Sequence, residues 1–167
     1  DSSEDGSRVI SEAAVGERDV VCGISASGRA PFVQGGLEEA RARGAVTVLL
    51  AADGSLADAS PGPGWDHLVI IDTGPECVAG STRMKAGTAT KMVLNIITTA
   101  AMVRWGKVYD NLMVDLVAAN EKLRHRSRRL VEQVAGVDSG QAVELLRRAE
   151  GSVKLAIVMG RRGLDPI

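Results

Sequence analysis

The stretch Asp19-Val-Val-Cys-Gly-Ile-Ser-Ala-Ser-Gly-Arg-Ala-Pro31 decides the fold of this chain. Its apolar first half, Asp19 to Ser25, predicts a strand, and Pro31 predicts the first turn of a helix, because its missing N–H would have no partner there. Between them lies a loop of small hydroxyl and glycine residues. A helix that begins on such a loop offers free N–H groups and its positive dipole end to an anion, most naturally a phosphate.

The rest of the first half repeats the strand and helix pattern. The predicted elements are a short helix in residues 1–14, a helix over 32–43, strands over 46–51 and 67–72, and a loop over 52–64 rich in Gly, Pro, Ser and Asp. Such alternation predicts the α/β class, a doubly wound parallel sheet. Because the first strand is as apolar as a central one, we expect either a partner that covers it or further strands before Asp1.

Helical periodicity dominates the second half. Helices are predicted from about Ser81 to Gly106, from about Asn111 to Gly136, and over 139–148 and 152–160. We therefore expect an α/β part over residues 1–110 and a helical C-terminal part over 111–167. The apolar positions assigned to the buried helix faces include all of the following: Met84, Met92, Ile96, Ile97, Met102, Val103, Leu112, Met113, Leu116, Val117, Leu130 and Val131.

Composition excludes several classes of protein. A formal net charge of −1 argues against a general nucleic-acid or membrane-surface binder, and the chain has too few aromatic side chains for base stacking. The run Arg124–Arg129 is interpreted as a solvated helix face. No apolar run approaches the roughly 20 residues needed for a membrane span. Cys22 and Cys77 predict neither a disulfide nor a metal site and favour a reducing cytoplasm, and the two histidines have no spaced metal-ligand partners.

A second concentration of polar residues follows the third predicted strand. Glu76 precedes Ser81, Thr82 and Lys85 in a glycine-rich segment. A carboxylate beside hydroxyls and a lysine could bind sugar hydroxyls or move a proton. The alternative is a helix entry, with Glu76 at the positive dipole end and Ser81 as the cap. The position favours a ligand site, because ligands bind at the carboxyl ends of strands in open α/β sheets.

Two motifs carry a resemblance to a known family. The loop Gly23–Pro31 resembles the phosphate-binding loop of sugar isomerase (SIS) domains. Gly74-Pro-Glu76 with Gly80–Asn95 resembles the N-acetylmuramic acid 6-phosphate etherases more narrowly, and Gly106–Asp115 and Asn120–Leu123 match the same family. The resemblance implies a cytoplasmic, cofactor-free, homodimeric lyase of cell-wall recycling. It would convert N-acetylmuramic acid 6-phosphate to N-acetylglucosamine 6-phosphate and D-lactate.

The resemblance also implies roles for individual residues. Ser25 and Ser27 would hold the 6-phosphate together with N–H groups from Gly28 onward. Arg29 would either clamp the anion or remain a solvated surface charge, and we favour the surface. The sugar pocket would be lined by Glu76, Ser81, Thr82 and Lys85. Ala30 replaces the threonine that is usual before the proline, which removes one phosphate donor.

The same resemblance places the family's catalytic groups outside this chain. Its first strand, its glycine-rich loop and both catalytic glutamates are expected before Asp1, the second of them immediately before it. We therefore expect no catalytic residue and no metal site in the chain, which would be the C-terminal part of an etherase and inactive alone. The alternative is a non-catalytic regulator that binds sugar phosphates, as the related glucokinase regulatory protein does.

Overall fold

Strands and helices alternate through the first half of the chain, and helices fill most of the second. The computed structural model describes residues 2–57 and 64–164. Its elements are α1 (Ser3–Glu12), β1 (Val20–Ile24), α2 (Pro31–Ala42), β2 (Val46–Ala51), β3 (His67–Ile70), α3 (Lys85–Arg104), β4 (Val108–Tyr109), β5 (Leu112–Met113), α4 (Glu121–Ala135), α5 (Ser139–Arg148) and α6 (Val153–Arg162). The predicted strand at 67–72 is two residues shorter than expected. Part of the predicted loop 52–64 lies outside the described residues.

The sheet of the first half is parallel, as predicted. Its order is β1-β2-β3, and both neighbouring pairs run in the same direction. The central strand β2 is the most buried of the three, with Leu49 and Leu50 almost inaccessible to solvent. Since parallel strands place all their carboxyl ends at one edge, the loops after β1, β2 and β3 emerge together. The α/β class is therefore confirmed.

Glycines allow α1 and α2 to pack with their backbones in contact. A Cβ on Gly6 would lie 2.0 Å from the carbonyl oxygen of Phe32, and one on Gly35 would lie 2.2 Å from that of Ser3. Neither position leaves room for a side chain. On its other side α2 buries Leu37 and Ala40, so the helix that carries the predicted anion site is held firmly by the rest of the first unit.

Contacts divide the chain into two compact units, Asp1–Asn95 and Ile96–Ile167, so that the division falls within α3. The domain boundary predicted from the sequence, between residues 110 and 111, stays a prediction. In the second unit α4, α5 and α6 form a helical bundle, as expected of the C-terminal appendage. Its core contains Leu130, Val131 and Val153 among others. The basic run on α4 is solvent-exposed for the most part, although Ser127 is buried and donates to the carbonyl of Leu123.

The predicted helix from Asn111 is wrong in its first ten residues. Residues 108–113 form an antiparallel hairpin in which Val108 pairs with Met113 and Tyr109 with Leu112. Asp110 has a φ of +53°, which suits a tight turn between the two strands. The helix begins only at Glu121, because the Asn120 side chain accepts a hydrogen bond from the N–H of Leu123 and caps it. Leu116 is buried as predicted, whereas Val117 is 83% exposed.

The assignment of α3 to the core is also wrong for the described chain. The helix begins at Lys85 rather than Ser81, and Ala86 is its one buried residue. Apolar side chains predicted to be buried are exposed: Met84, Met92, Ile96, Ile97, Met102 and Val103, as is Met113 of β5. With 20 residues and a mean hydropathy of 1.2, α3 is by length and composition alone able to cross a membrane, contrary to the expectation from the sequence.

Candidate phosphate-binding site

The loop after β1 is a turn in which Ser27 is exposed to solvent. The N–H of Ser25 donates to the carbonyl of Leu50 on β2 at 3.0 Å, which holds the loop to the sheet. Ser25 is buried, and its Oγ lies 3.5 Å from the Oγ of Ser27. The N–H of Gly28 then donates to the Ser25 carbonyl at 3.0 Å. Ser25, Ser27 and Gly28 are therefore brought together as predicted from the sequence.

The helix that follows this turn begins without a cap. Its N-cap residue is Ala30, which has no side-chain oxygen, and Pro31 comes next. In a helix the N–H groups of the first turn have no intrahelical acceptor. The N–H groups of Phe32 and Val33 therefore lie free at the N-terminal end of α2, which follows the Ser25 turn. This end also carries the positive partial charge of the helix dipole. Such an end can receive an anion. The missing cap is a missing acceptor for these N–H groups, and the predicted loss of a phosphate donor at Ala30 stays a prediction.

Arg29 is occupied by neighbouring loop residues. Its Nη1 lies 2.9 Å from Oδ2 of Asp53, and its Nη2 donates to the Ser55 hydroxyl at 3.3 Å. Hydrogen bonds from Ser55, followed by Arg29, hold the pKa of the Asp53 carboxyl below its ordinary value. The ion pair joins the loop after β1 to the turn after β2. The sequence reading of Arg29 as a surface charge omitted this partner, and Asp53 was not predicted to take part.

The turn after β2 also contacts the segment after β3. A Cβ on Gly54 would lie 2.9 Å from Oδ2 of Asp72, so the Asp72 side chain lies close against the backbone of Gly54. The other oxygen of Asp72, Oδ1, accepts a hydrogen bond from the N–H of Gly74 at 2.9 Å. Three successive loops thus meet at the carboxyl edge of the sheet, with the loop of β2 in the middle.

Glu76 caps α3. Its Oε2 and Oε1 accept hydrogen bonds from the N–H groups of Lys85 and Ala86, both at 2.9 Å. The bond from Ala86 and then the bond from Lys85 hold the pKa of the Glu76 carboxyl below its ordinary value. This is the helix-entry alternative, except that Glu76 replaces Ser81 as the cap. A carboxylate kept ionised in this way is a poor proton donor.

Ser81 and Thr82 lie in a turn before α3. The N–H of Ser81 donates to the Val78 carbonyl at 2.9 Å, and the Thr82 carbonyl accepts from the N–H of Gly87 at 3.0 Å. The Nζ of Lys85 lies 4.0 Å from where a Cβ on Gly74 would stand. Glu76, Ser81, Thr82 and Lys85 therefore lie around the start of α3, and a sugar pocket that they share with the Ser25 turn stays a prediction.

Gln34 is one functional residue that the sequence reading missed. Its Nε2 donates to the Gly28 carbonyl at 2.5 Å. Gln34, at the start of α2, therefore holds the loop that contains Ser25, Ser27 and Gly28 in place. Its position three residues after Pro31 was the available signal, because residues of one helix turn lie beside the preceding loop. Asp53-Gly-Ser55 was likewise readable as an Asx turn, in which the Asp53 side chain accepts from the N–H of Ser55.

The described residues, 2–57 and 64–164, contain no group of three or more His, Cys, Asp or Glu side chains placed to hold a metal ion. Cys22 and Cys77 are both free thiols.

Comparison with known proteins gives relatives along almost the whole chain. It is 52% identical over 160 residues to the N-acetylmuramic acid 6-phosphate etherase of Symbiobacterium thermophilum, covering 95% of this chain and 51% of that protein. It is 48% identical over 168 residues to that of Rubrobacter xylanophilus, with 99% and 54% covered. No family model matches the chain. The chain thus spans about half the length of the curated relatives it matches, and the resemblance read from its motifs is confirmed.

Proposed function

We propose that this chain, a homologue of N-acetylmuramic acid 6-phosphate etherases over nearly its whole length, supplies the part of such an enzyme that holds the 6-phosphate. The uncapped start of α2 carries the proposal. There two hydroxyls, on Ser25 and Ser27, stand beside N–H groups that have no acceptor within the helix. This combination binds an anion with hydrogen bonds from several directions. We infer an amino-sugar phosphate as the anion because the homologues are named for N-acetylmuramic acid 6-phosphate.

The reaction of the intact protein is proposed to be an elimination followed by hydration. A base removes the proton at C2 of the sugar, an acid protonates the departing ether oxygen as the bond at C3 breaks, and D-lactate leaves. Water then adds at C3 to give N-acetylglucosamine 6-phosphate. The intact protein would act as a cytoplasmic carbon–oxygen lyase of the SIS superfamily, and no cofactor is required for these steps.

We further propose that this chain binds the sugar phosphate without turning it over. Each acidic side chain described in the loops after β1, β2 and β3 already accepts structural hydrogen bonds. Asp53 holds Arg29 and Ser55, Asp72 holds Gly74, and Glu76 holds the start of α3. None of these carboxylates is positioned as an available acid, and the lowered pKa of Glu76 makes it a weak base.

A homodimer is part of the proposal, because the resemblance implies one. The apolar side chains exposed on α3, such as Met92, Ile96 and Ile97, are a surface that such an assembly would cover. We assign this helix to protein contacts rather than to a bilayer, since Lys91 lies along its length and a charge inside hydrocarbon is costly.

Calorimetric titration of the 167-residue chain tests the phosphate site. N-acetylglucosamine 6-phosphate is expected to bind, whereas N-acetylglucosamine without the phosphate is not. Ser25→Ala and Ser27→Ala should each weaken binding about tenfold, the effect of losing one hydrogen bond to a charged group. Ser139→Ala, an exposed serine in the second unit, is the matched control. Equal binding by all three variants would exclude the loop as the phosphate site.

Measurement of D-lactate release tests the absence of turnover. With N-acetylmuramic acid 6-phosphate as substrate, the chain alone should release none, although it binds the compound. Release at the rate of a complete enzyme would overturn the assignment of a binding role. If a longer protein that contains this chain also binds the compound and releases no lactate, the regulatory alternative is correct instead.

A further inference from the structure

A cleft in the second unit has a cationic rim and no assigned role. It lies between the β4–β5 hairpin and α6 and has a volume of about 380 Å³. Its floor includes Val108, Val114 and Ile157, so it is apolar. Small-molecule sites commonly have this size and this arrangement of an apolar floor with a few polar groups. The hairpin belongs to the segment Gly106–Asp115, which the proposed phosphate site does not use.

The rim carries three positive charges and no acid. Lys154, in the first turn of α6, and Arg161 and Arg162, in its last turn, are part of the lining of the cleft. Neither Lys154 nor Arg162 forms an ion pair with any residue in the described part of the chain. The charge of Lys154 acts on the Asp115 carboxylate, but Oδ2 of Asp115 is already 2.7 Å from the Nζ of Lys107. The cleft therefore has an excess of positive charge.

One of the three cations is fixed in place by the hairpin. Arg161 donates a hydrogen bond from Nη1 to the hydroxyl of Tyr109, and its guanidinium lies 5.6 Å from the centre of the Tyr109 ring. The hydroxyl proton of Tyr109 and the remaining guanidinium N–H groups stay available to a ligand. Lys154 also lies against the hairpin, since its Nζ is 3.2 Å from where a Cβ on Gly106 would stand.

We propose that this cleft binds a small organic anion, a monophosphate or carboxylate with an apolar portion. The anionic group would lie among Lys154, Arg161, Arg162 and the Tyr109 hydroxyl, and the apolar portion would lie on Val114 and Ile157. This site is separate from the Ser25 turn, because all of its lining residues belong to the second unit. It recognises charge and an apolar group together, whereas the Ser25 turn is lined by donors.

Titration of the 167-residue chain with phenyl phosphate, followed by amide resonances in NMR, tests the proposal. The compound should shift the resonances of Tyr109 and of residues 154–162 in a saturable way, and phenol should not. Lys154→Met and Arg162→Gln should each weaken this binding about tenfold. Arg162 is a suitable position because its removal breaks no contact with the hairpin. Arg126→Gln, an exposed arginine on α4, is the control of equal charge change.

The outcomes separate the two anion sites. Shifts confined to residues 25–34 would overturn the cleft and leave the proposed phosphate site intact. Equal affinity of the native chain, Lys154→Met and Arg162→Gln would overturn it as well, and so would equal shifts with phenol, since the cations would then contribute nothing. Unchanged resonances elsewhere in the two variants show that they are folded. Weakening by 1 M NaCl supports the proposal, because salt screens exposed charges.

Discussion

Replacing Gly28 by alanine should destabilise the first unit by an amount that the structure allows us to divide into two parts. Gly28 has a φ of +68°, and a Cβ there would lie 2.4 Å from Cδ1 of Leu56 and 3.3 Å from the Cβ of Ala51. The left-handed backbone costs an L-residue about 1–2 kcal/mol. The steric contact adds about 1 kcal/mol, because Cδ1 is the end of a flexible side chain that can move and the contact with Ala51 is only slightly short. The total loss is about 2–3 kcal/mol.

Gly80→Ala is the matched control for this substitution. Gly80 has a φ of +80° in the same unit, but a Cβ there would meet nothing within 4 Å. It should therefore lose only the backbone part, about 1–2 kcal/mol. The difference between the two variants isolates the packing of the phosphate loop against Leu56.

Urea unfolding measures both losses in the first unit alone. The chain contains two tryptophans, Trp65 and Trp105, so that a Trp105→Phe background leaves Trp65 to report on the unit that contains Gly28. If Gly28→Ala is no less stable than Gly80→Ala, the close approach of the loop to Leu56 is refuted. If both variants differ from the parent by under about 0.5 kcal/mol, the left-handed backbone at both positions is refuted too.

Two further changes test the helix starts at the carboxyl edge of the sheet. Ala30→Thr supplies the missing cap of α2, and its side-chain oxygen should accept a hydrogen bond from a first-turn N–H and raise the unfolding free energy in urea by about 0.5–1 kcal/mol. A variant of equal or lower stability would contradict this. Glu76→Gln removes the charged cap of α3 and should lower stability at pH 7. Because the folded pKa of Glu76 is lowered, its contribution is present above the unfolded pKa and is lost as pH falls through the folded pKa. Unfolding midpoints should therefore converge in acid, and a constant gap between variant and parent would count against the cap.

Local patterns in the sequence were sufficient to predict the three strands of the parallel sheet. β1, β2 and β3 were predicted within two residues at each end, because each is a short apolar run bounded by turn residues. The hairpin at 108–113 was missed, since Leu112, Met113 and Leu116 also fit a helical spacing. The pair Asp110-Asn111 was the contrary signal, because both residues tolerate the conformations of a two-residue turn. Periodicity alone could not decide between the two.

The proximity of site residues was predictable where they are close in sequence, and it was missed where it depends on distant partners. Ser25, Ser27 and Gly28 are close in sequence, and the structure places them in one turn. Arg29 pairs with a residue 24 positions away, and Glu76 caps a helix that starts nine residues later. The exposure of α3 could not be predicted either. An apolar stripe along a helix indicates that this face is covered by other groups, but it does not indicate which groups cover it.

The hydrogen bonds at the carboxyl edge of the sheet divide its groups into two kinds. The acceptors there, Asp53, Asp72 and Glu76, are used to join loops and to start α3. The backbone N–H groups of Ser25 and Gly28 donate within the fold, whereas those of the first turn of the uncapped α2 have no acceptor within the helix. Such an edge favours an anion, and hydrogen bonds that hold the pKa of Asp53 and of Glu76 below their ordinary values make these two carboxylates weak bases. An elimination on a sugar held here would need its acid and its base from residues other than Asp53 and Glu76.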